Sequence, residues 1–283
     1  MPGSRTVNSH ARSTAPLDER SRELRRVIVR MVQAAGRGHL ASAFSVVEIL
    51  RVLYDDVLRY DPKNPRWPLR DRCLLSKGHG CLGLYPILAE KGFFDPAELW
   101  KFSKRDGILG GHPEYGKVPG VEASTGSLGH GLSIGIGFAL SARHDRTGAR
   151  VFVVIGDGES DEGSVWEAAM CASKHCLGNL IALTDYNKQQ SYGSTSEVLD
   201  LEPLADKWRS FGFAVTEVDG HDVAALRAAI PAAPDPAGRP TMVICHTVKG
   251  RGVDFVERDL MWHHKNKISE DEVRALLAGL DTP

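Results

Sequence analysis

Buried-strand and amphipathic-helix patterns alternate along this chain. Residues 151–155, Val-Phe-Val-Val-Ile, are continuously apolar and mostly β-branched, which is typical of a strand buried on both faces of a parallel sheet. Apolar positions then recur at helical spacing over residues 164–175, and a second apolar run follows at residues 179–184. This order predicts a right-handed crossover, which delivers the ends of two parallel strands to one edge of the sheet.

The same patterns predict the remaining elements of the chain. Helices are expected at residues 18–35 and 44–58, from a turn at 76–80 to residue 89, from residue 95, and at 128–140, 204–211, 222–230 and 269–280; strands are expected at 71–75, 214–218 and 241–245. A capping box, Ser269 to Glu272, begins the last helix. Residues 192–203 are predicted to be a loop, and residues 231–240 a linker.

Small residues mark one face of the predicted 128–140 helix. Gly131, Gly135 and Ala139 share that face at helical spacing. Small side chains allow two backbones to approach closely. We therefore expect this face to pack against another helix or a second subunit.

Composition limits the class of protein. The chain has 283 residues, 42% of them hydrophobic and 25% charged, which is enough for one large domain with a sizeable core. Its formal charge of −1 gives no basic face for nucleic acid. No apolar run has the length of a membrane helix. We expect a globular protein with neither a nucleic-acid nor a membrane partner.

The chain ends and the cysteines add two expectations. Residues 1–17 are rich in Ser, Thr and Arg and lack an apolar face, so they predict a flexible tail rather than a transit peptide, with one domain over residues 18–283. The five cysteines are odd in number and include no C-x-x-C pair. Reduced thiols in a cytoplasmic protein are the expected reading.

The strongest chemical signal lies where the two crossover strands end. Asp157 stands between Gly156 and Gly158 at the end of the first strand, and Asn187 follows the second strand 30 residues later. A Gly-Asp-Gly alone is usually a tight turn. A carboxylate and an amide oxygen at one sheet edge, however, suit Mg²⁺ or Ca²⁺ completed by phosphate oxygens, a backbone carbonyl and water. Amide groups at the following helix start would hold the anion.

Four histidines lie in glycine-flanked or loop positions: His39, His79, His112 and His263. Any one of them taken alone is more simply a surface or hydrogen-bonded histidine. Taken together, they are placed near element ends, where polar groups converge on ligands. Uncharged imidazoles there would exchange protons with hydroxyl and carbonyl oxygens near neutral pH.

These residues form a set of motifs that resembles a known family. The motifs are Gly38-His39, Ser76-Lys-Gly-His79, Gly111-His112-Pro, Thr125-Gly-Ser-Leu-Gly129, Gly156-Asp-Gly158 with Glu162-Gly163, Asn187, Lys249-Gly-Arg-Gly252 and Trp262-His263. From residue 22 to about residue 267 the chain resembles the N-terminal, diphosphate-binding half of transketolase. The resemblance implies the thiamine diphosphate-binding fold, an α/β fold with a mostly parallel central sheet and helices on both faces.

The resemblance also implies a cofactor and its ligands. Thiamine diphosphate is expected, with Mg²⁺ or Ca²⁺ on Asp157, Asn187 and the carbonyl of Gln189. The cofactor contacts carried over from the family's motifs are Ser42, His79, Gly126, Ser127, Leu128, Gly158, Glu159, Asn187, Lys249 and His263.

Four residues are implied to be catalytic. His39, His112 and His263 look like the groups that meet the sugar's oxygens, and Glu162 resembles an acidic residue that lies toward a subunit contact; a structural acid in the turn is the alternative for Glu162. Two departures from the family are found: Ser191 stands where an aliphatic residue is usual near the thiazolium ring, and Asp185-Tyr186-Asn187 replaces Asp-Asn-Asn.

The family's domain order implies a partner. A second domain holds the aminopyrimidine ring and a third follows, and we expect both on another chain, a C-terminal subunit in an α₂β₂ heterotetramer. The expected activity is transfer of a glycolaldehyde unit from a ketose phosphate to an aldose phosphate, with the two sugars undetermined. The alternatives are the α chain of a 2-oxo acid dehydrogenase and a cofactor-binding remnant without activity.

Overall fold

Five parallel strands form the centre of the molecule. The structure is a computed structural model, and it describes residues 15–230 and 234–281. The strands are β1 (Arg72–Leu75), β2 (Val151–Gly156), β3 (Leu180–Tyr186), β4 (Ala214–Asp219) and β5 (Thr241–His246), in the spatial order β1-β2-β3-β5-β4. Strands β2 and β3 pair directly, with Gly156 opposite Asp185. The predicted crossover is therefore confirmed, and the strand ends share one edge.

Ten α-helices surround this sheet within the described ranges. They are α1 (Glu19–Ala35), α2 (Leu40–Phe44), α3 (Val47–Val52), α4 (Cys81–Glu90), α5 (Gly131–His144), α6 (Gly163–Lys174), α7 (Thr195–Val198), α8 (Leu204–Ser210), α9 (Val223–Ala229) and α10 (Glu270–Asp281). The capping box at Ser269 is formed, since its hydroxyl accepts from the Glu272 amide at 3.2 Å. No helix described here combines the length and apolar character needed to cross a membrane.

Alternate strand residues pack into two hydrophobic layers. Phe152 and Val154 face a core shared with α1 to α4 and α10. Val151 and Val153 face a second core shared with α5, α6 and α8. Because both faces of the strand are covered, β2 is apolar at every position, as expected for a parallel sheet. The predicted fold class, with helices on both faces, is confirmed.

The predicted helix at residues 44–58 is divided. Helix α2 ends at Phe44, α3 begins at Val47, and a π-helical turn, Leu53–Val57, completes the segment. Ser45 lies at the break, and its hydroxyl donates to the Ser42 carbonyl at 3.1 Å and to Asp185 at 2.7 Å. A serine that hydrogen-bonds locally competes with the helical ladder. The break turns this segment toward the ends of the strands.

Two other predictions change in detail. The segment predicted as a helix from residue 95 is a 3₁₀-helix, Pro96–Lys101. Part of the predicted 192–203 loop is helix α7, where Ser194 and Glu197 form a second capping box. This short segment has no apolar stripe, so the spacing of hydrophobic residues did not indicate a helix. The capping box after Gly193 was the only local signal for it.

The small face of α5 packs against strand β2 and the turn after β1, not against another helix or a second subunit as predicted. A Cβ atom on Gly135 would lie 2.5 Å from the Val153 side chain, and one on Gly131 would lie 2.1 Å from the Ser76 hydroxyl. These glycines let α5 lie close to β2 and to the turn after β1. The expectation failed because helical spacing identifies a close-packing face but not its partner.

The predicted tail is only partly described. Residues 1–14 lie outside the described residues. The Ala15 carbonyl accepts from Arg251 at 3.1 Å, and the Leu17 carbonyl accepts from Arg22 at 3.2 Å. The chain therefore contacts the domain at residues 15 and 17, within the range predicted as tail. The domain boundary at residue 18 stays a prediction.

Candidate active site

Asp157 and Asn187 follow neighbouring strands at the carboxyl edge of the sheet. Asp157 is buried, and its carboxylate accepts from the amides of Gly158, at 2.7 Å, and Lys188. The Lys188 amide is the first after Asn187, so the carboxylate reaches across from the end of β2 to the end of β3. The two residues predicted as metal ligands are brought to one place by the pairing of these strands.

Gln189 completes this edge. Its amide donates to Asn187 Oδ1 at 3.1 Å, and its carbonyl accepts from the Lys249 ammonium at 2.8 Å. A carboxylate, an amide oxygen and a carbonyl oxygen form a hard-oxygen set that fits Mg²⁺ or Ca²⁺. No group of three His, Cys, Asp or Glu side chains suited to a metal occurs in residues 15–230 or 234–281. A metal at this edge would therefore depend on the amide and carbonyl oxygens.

Asp185 is a site residue that the sequence reading did not single out. Its side chain is fully buried and accepts hydrogen bonds from Ser45, Lys77, Asn187 and Thr247. Burial would raise its pKa, but the charge and hydrogen bond of Lys77 hold the pKa below its ordinary value. Asp185 thus orients Asn187 and neutralises Lys77. Its position two residues before Asn187 was the available signal.

Burial also changes the charges around the edge. It raises the pKa of Asp157 to about 6, together with the nearby charge of Asp185. It lowers the pKa of Lys249 to about 8, together with the charge of Lys77. A dication against Asp157 would favour the ionised carboxylate, which burial alone disfavours. The edge is therefore electrostatically suited to gaining a cation and an anion together.

Histidine rings converge beside this edge. The ring centroid of His39 lies 5.6 Å from His79, 6.1 Å from His112, 5.7 Å from His263 and 4.4 Å from His264. The four histidines singled out from the sequence are thus brought together, and His264 joins them. The Trp262-His263 motif had singled out His263, whereas no motif marked His264.

A two-stranded bridge brings the distant histidines together. The Gly38 amide donates to the Lys265 carbonyl at 2.9 Å, and the Lys265 amide donates to the Gly38 carbonyl at 3.0 Å. A Cβ on Gly38 would lie 2.8 Å from the end of the Leu82 side chain and 3.1 Å from that of Val32, so glycine lets the bridge lie close to α4 and α1. His39 and His264 adjoin the two bridged residues.

Three rings of this cluster, those of His39, His79 and His263, are uncharged at neutral pH because their pKa values are lowered. Burial lowers the pKa of His39 to about 3, aided by the neighbouring His264 and His112. Burial and the charge of Lys249 lower the pKa of His263 to about 3 as well. The pKa of His79 is also lowered by burial and by Lys77. Each neutral ring offers one N–H donor and one acceptor nitrogen.

A cavity of about 320 Å³ opens beside these rings. It is lined by Arg37, Gly38, His39, His79, Cys81, Leu82, Phe102, Ser103, Gly111, His112 and His264. Arg37 is the only one of these lining residues, all within the described part of the chain, whose side chain belongs to the acidic or basic types Asp, Glu, Lys and Arg. Because the pKa values of His39, His79 and His112 are lowered, Arg37 supplies the fixed positive charge of this cavity.

Three buried polar atoms at the site have no protein partner in the described part of the chain: Ser42 Oγ, Gln189 Oε1 and His263 Nδ1. Ser42 is fully buried. His263 Nε2 lies 2.9 Å from the hydroxyl of Ser191, one of the positions that depart from the family. Buried polar groups are normally hydrogen-bonded, so these atoms fit a polar ligand better than an empty site.

The remaining predicted contacts, apart from Glu159, lie at two places in the chain. Gly126 lies against the His112 ring, since a Cβ there would be 3.3 Å from His112 Cδ2, and it is followed by exposed Ser127 and half-buried Leu128. Gly158 follows Asp157 and begins a 3₁₀-helix, Gly158–Asp161. Its predicted role as an anion contact is consistent with that position but stays a prediction.

The two predicted glutamates lie apart from the histidines. Glu159 is buried, and its carboxylate accepts from Ser76, from the Gly129 amide at 2.9 Å and from the Gly156 amide at 3.1 Å. Its oxygens thus accept hydrogen bonds from the protein's own loops, and its role as a cofactor contact stays a prediction. Glu162 is exposed at the start of α6 and packs against Gly129, so it lies on the surface at the site's edge.

Comparison with known proteins identifies the family. Residues 18–281 match the family described as transketolase, thiamine diphosphate binding domain. The chain belongs to the transketolase family. Thiamine diphosphate is accordingly the ligand that the family description gives to this domain.

Relatives within the transketolase family are of two lengths. A 6-deoxy-6-sulfo-D-fructose transketolase subunit, SqwG, from Clostridium sp. (strain MSTE9) is 42% identical, over 94% of this chain and 96% of that protein. One subunit of the apulose-4-phosphate transketolase from Actinobacillus succinogenes is 40% identical, over 97% of this chain and 99% of that protein. The solved transketolase of Campylobacter jejuni superposes with a TM-score of 0.85 at 29% identity, over 93% of this chain and 42% of that one.

Proposed function

We propose that this chain is the N-terminal subunit of a two-chain transketolase. The observation that carries the proposal is the cluster of neutral histidine rings around His39, next to the sheet edge that holds Asp157 and Asn187. Two relatives that match over nearly their whole lengths are named transketolase subunits, which supports a separate partner chain. The partner would carry the pyrimidine-binding and C-terminal domains.

Thiamine diphosphate supplies the thiazolium carbon that carries a two-carbon glycolaldehyde unit from a ketose to an aldose. Asp157, Asn187 and the Gln189 carbonyl would hold Mg²⁺ or Ca²⁺ beside the diphosphate. Lys249 and the amides after Gly158 would contact the diphosphate oxygens, and the unpartnered hydroxyl of Ser42 would donate or accept at the same ligand. This set of contacts is supported by the hard-oxygen chemistry of the edge.

The histidines would act on the sugar. A neutral imidazole donates one N–H to a carbonyl or alkoxide oxygen and accepts a proton on the other nitrogen. His39 and His112 line the cavity, and the His263 ring lies 5.7 Å from the His39 ring, so these rings would meet the hydroxyl and carbonyl groups of a sugar bound there. Glu162, exposed at the start of α6, would lie toward the partner chain rather than at the reacting atoms.

The substrates we propose are sugars with a terminal anionic group, such as a phosphate. The guanidinium of Arg37 is the fixed positive charge among the described residues lining the cavity, and it is exposed at the rim. Arginine binds tetrahedral oxyanions through paired N–H donors. Relatives named for a sulfonated fructose and for apulose 4-phosphate are consistent with a terminal anion.

The proposed assembly is an α₂β₂ heterotetramer. The cofactor would lie between unlike chains, and closed two-fold symmetry is the commonest arrangement of oligomers. All five cysteines are free in the structure, which suits the cytoplasm, the compartment we propose.

The experiment combines the purified chain with its partner chain, thiamine diphosphate and Mg²⁺. The mixture is expected to transfer a two-carbon unit between sugar phosphates, while this chain alone is not. Transfer by the chain alone would contradict the two-chain proposal. Decarboxylation of pyruvate by the pair, without ketol transfer, would instead favour a 2-oxo acid dehydrogenase.

The Asp157→Ala variant tests the metal site in the same mixture. We expect it to abolish metal-dependent binding of thiamine diphosphate. Cofactor affinity equal to that of the wild type would show that the assigned edge is not the metal site.

A further inference from the structure

A buried ion pair lies beneath the loop that carries Lys249. Glu48 accepts from Arg25 at 2.6 and 2.9 Å, and both side chains have no exposed surface. His221 is the third member, with Nδ1 2.8 Å from Glu48 Oε2 and its side chain also inaccessible. None of these three residues lines the cavity or the carboxyl edge described above, so the proposed chemistry does not use them directly.

This Arg25–Glu48–His221 network ends on the backbone at both sides of Lys249. His221 Nε2 accepts from the Val248 amide at 2.8 Å, and Arg25 Nε donates to the Arg251 carbonyl at 2.9 Å. Because the Val248 amide can only donate, Nε2 of His221 must accept and carries no proton. The ring proton of His221 therefore lies on Nδ1, facing Glu48. The carboxylate therefore selects the tautomer that the loop requires.

The network also reaches the segment that carries Ser42. Arg25 donates to the Phe44 carbonyl at 2.8 Å, at the end of α2. The Gly250 amide donates to the Ala41 carbonyl at 3.1 Å, which ties the loop to α2 directly. Ser42 and Lys249, both proposed cofactor contacts, thus lie on two segments joined to one buried carboxylate.

We infer that the Arg25–Glu48–His221 network positions Lys249 for the diphosphate, with His221 as a positioning residue. The inference rests on the proposed function, because it takes Lys249 as an anion contact. A lysine side chain has many rotamers, so its ammonium is placed accurately only when its backbone is fixed. Loss of the Nε2 acceptor leaves a buried Val248 amide without a partner, and the loop must shift to satisfy it.

Two conservative variants separate positioning from folding. In His221→Gln, the amide extends as far as Nε2 and retains a group that can accept from Val248, whereas in His221→Asn it extends only as far as Nδ1. Titration calorimetry of the full chain with Mg²⁺ and inorganic pyrophosphate reports on the anion contact without catalysis. We expect His221→Asn to weaken pyrophosphate binding about tenfold and His221→Gln to recover most of it.

Hydrogen exchange gives a second reading on the same proteins. The amides of residues 248–251 are expected to exchange faster in His221→Asn than in the wild type. Equal pyrophosphate affinity in both variants and the wild type, or unchanged exchange in this loop, would overturn the inference.

A double-mutant cycle with Lys249→Met tests whether His221 acts through Lys249. If it does, His221→Asn costs affinity in the wild-type background and adds less than about twofold in the Lys249→Met background. Equal losses in both backgrounds would mean a general structural role and would overturn the inference.

Glu122→Gln is the matched control. Glu122 is another buried glutamate, paired with Arg70 at 2.7 Å and with Arg72 at the first residue of β1, at the opposite end of the sheet. We expect it to lose stability but to keep pyrophosphate affinity. Parallel loss of affinity in this control would overturn the assignment to His221. Failure of ketol transfer by the assembled enzyme, with pyrophosphate results as expected, would contradict the proposed function alone.

Discussion

The ammonium of Lys249 lies 2.8 Å from the carbonyl oxygen of Gln189, the same carbonyl that we propose as a metal ligand. The contact joins the loop after β5 to the segment after β3. The Lys249 ammonium and the metal ion proposed to accompany the cofactor would therefore lie at the same edge of the sheet. Burial and Lys77 lower the pKa of Lys249 to about 8, which makes an anionic partner favourable.

Replacement of Lys249 by Met is expected to raise the Kd for thiamine diphosphate at least about tenfold, because a charge-assisted contact to the diphosphate is lost. Titration of the assembled enzyme with the cofactor in the presence of Mg²⁺ measures this change. Lys249→Arg, which keeps the charge, should lose less. If Lys249→Met binds the cofactor as the wild type does, the lysine does not contact the diphosphate.

The histidine cluster predicts that the activity of the assembled enzyme shows no change with pH caused by titration of His39 or His263. The pKa values of His39 and His263 are lowered to about 3, so both rings stay neutral from neutral pH down to well below their ordinary value of 6.5. We expect kcat of the assembled enzyme to show no inflection near pH 6.5 from these groups. An inflection there that disappears in His39→Asn would mean that His39 titrates in the working enzyme.

Arg37 predicts selection for anionic substrates. Arg37→Met should lower kcat/KM for a phosphorylated ketose about tenfold or more, chiefly through KM, because a guanidinium contact to the anion is lost. An uncharged ketose should be affected much less, and Arg37→Lys should be intermediate. Equal losses for charged and uncharged donors would place Arg37 outside the anion contact.

Asp71 predicts acid sensitivity of the fold. It accepts from Arg150 at 2.7 Å and from Arg59 at 3.0 Å. Burial opposes its ionisation, but these hydrogen bonds hold its pKa below the ordinary 3.8. The folded state therefore gains stability from ionised Asp71 at neutral pH, and loses that gain as pH falls below 3.8 through the folded-state pKa.

The Asp71→Asn variant is expected to lower the free energy of unfolding by about 3 kcal/mol at pH 7, chiefly because buried Arg150 loses its charged partner, with half-exposed Arg59 contributing less. The difference from the wild type should shrink in acid. Denaturant unfolding at pH 7 and at pH 3 measures both values. A difference that is the same at both pH values would contradict the assigned ion pair.

Local sequence patterns were sufficient to predict those elements whose structure depends on residues close together in the chain. The apolar run of β2 predicted a buried parallel strand, because a strand covered on both faces has no polar position. The capping box at Ser269 predicted the start of α10, because both of its hydrogen bonds lie within four residues. The crossover placed Asp157 and Asn187 at one edge, because its handedness is nearly invariant.

Contacts between distant segments were decided only by the tertiary structure. Ser45, at the break between α2 and α3, donates its hydroxyl to Asp185, which lies 140 positions away in sequence. The glycines of α5 pack against β2 rather than against the helix or subunit that was predicted. Glu48 and His221 are 173 positions apart, and neither carries a motif. Sequence alone determined the five strands, most of the helices and the chemistry carried at their ends. Only folding decided which ends meet, because burial and close packing depend on neighbours that local periodicity does not name.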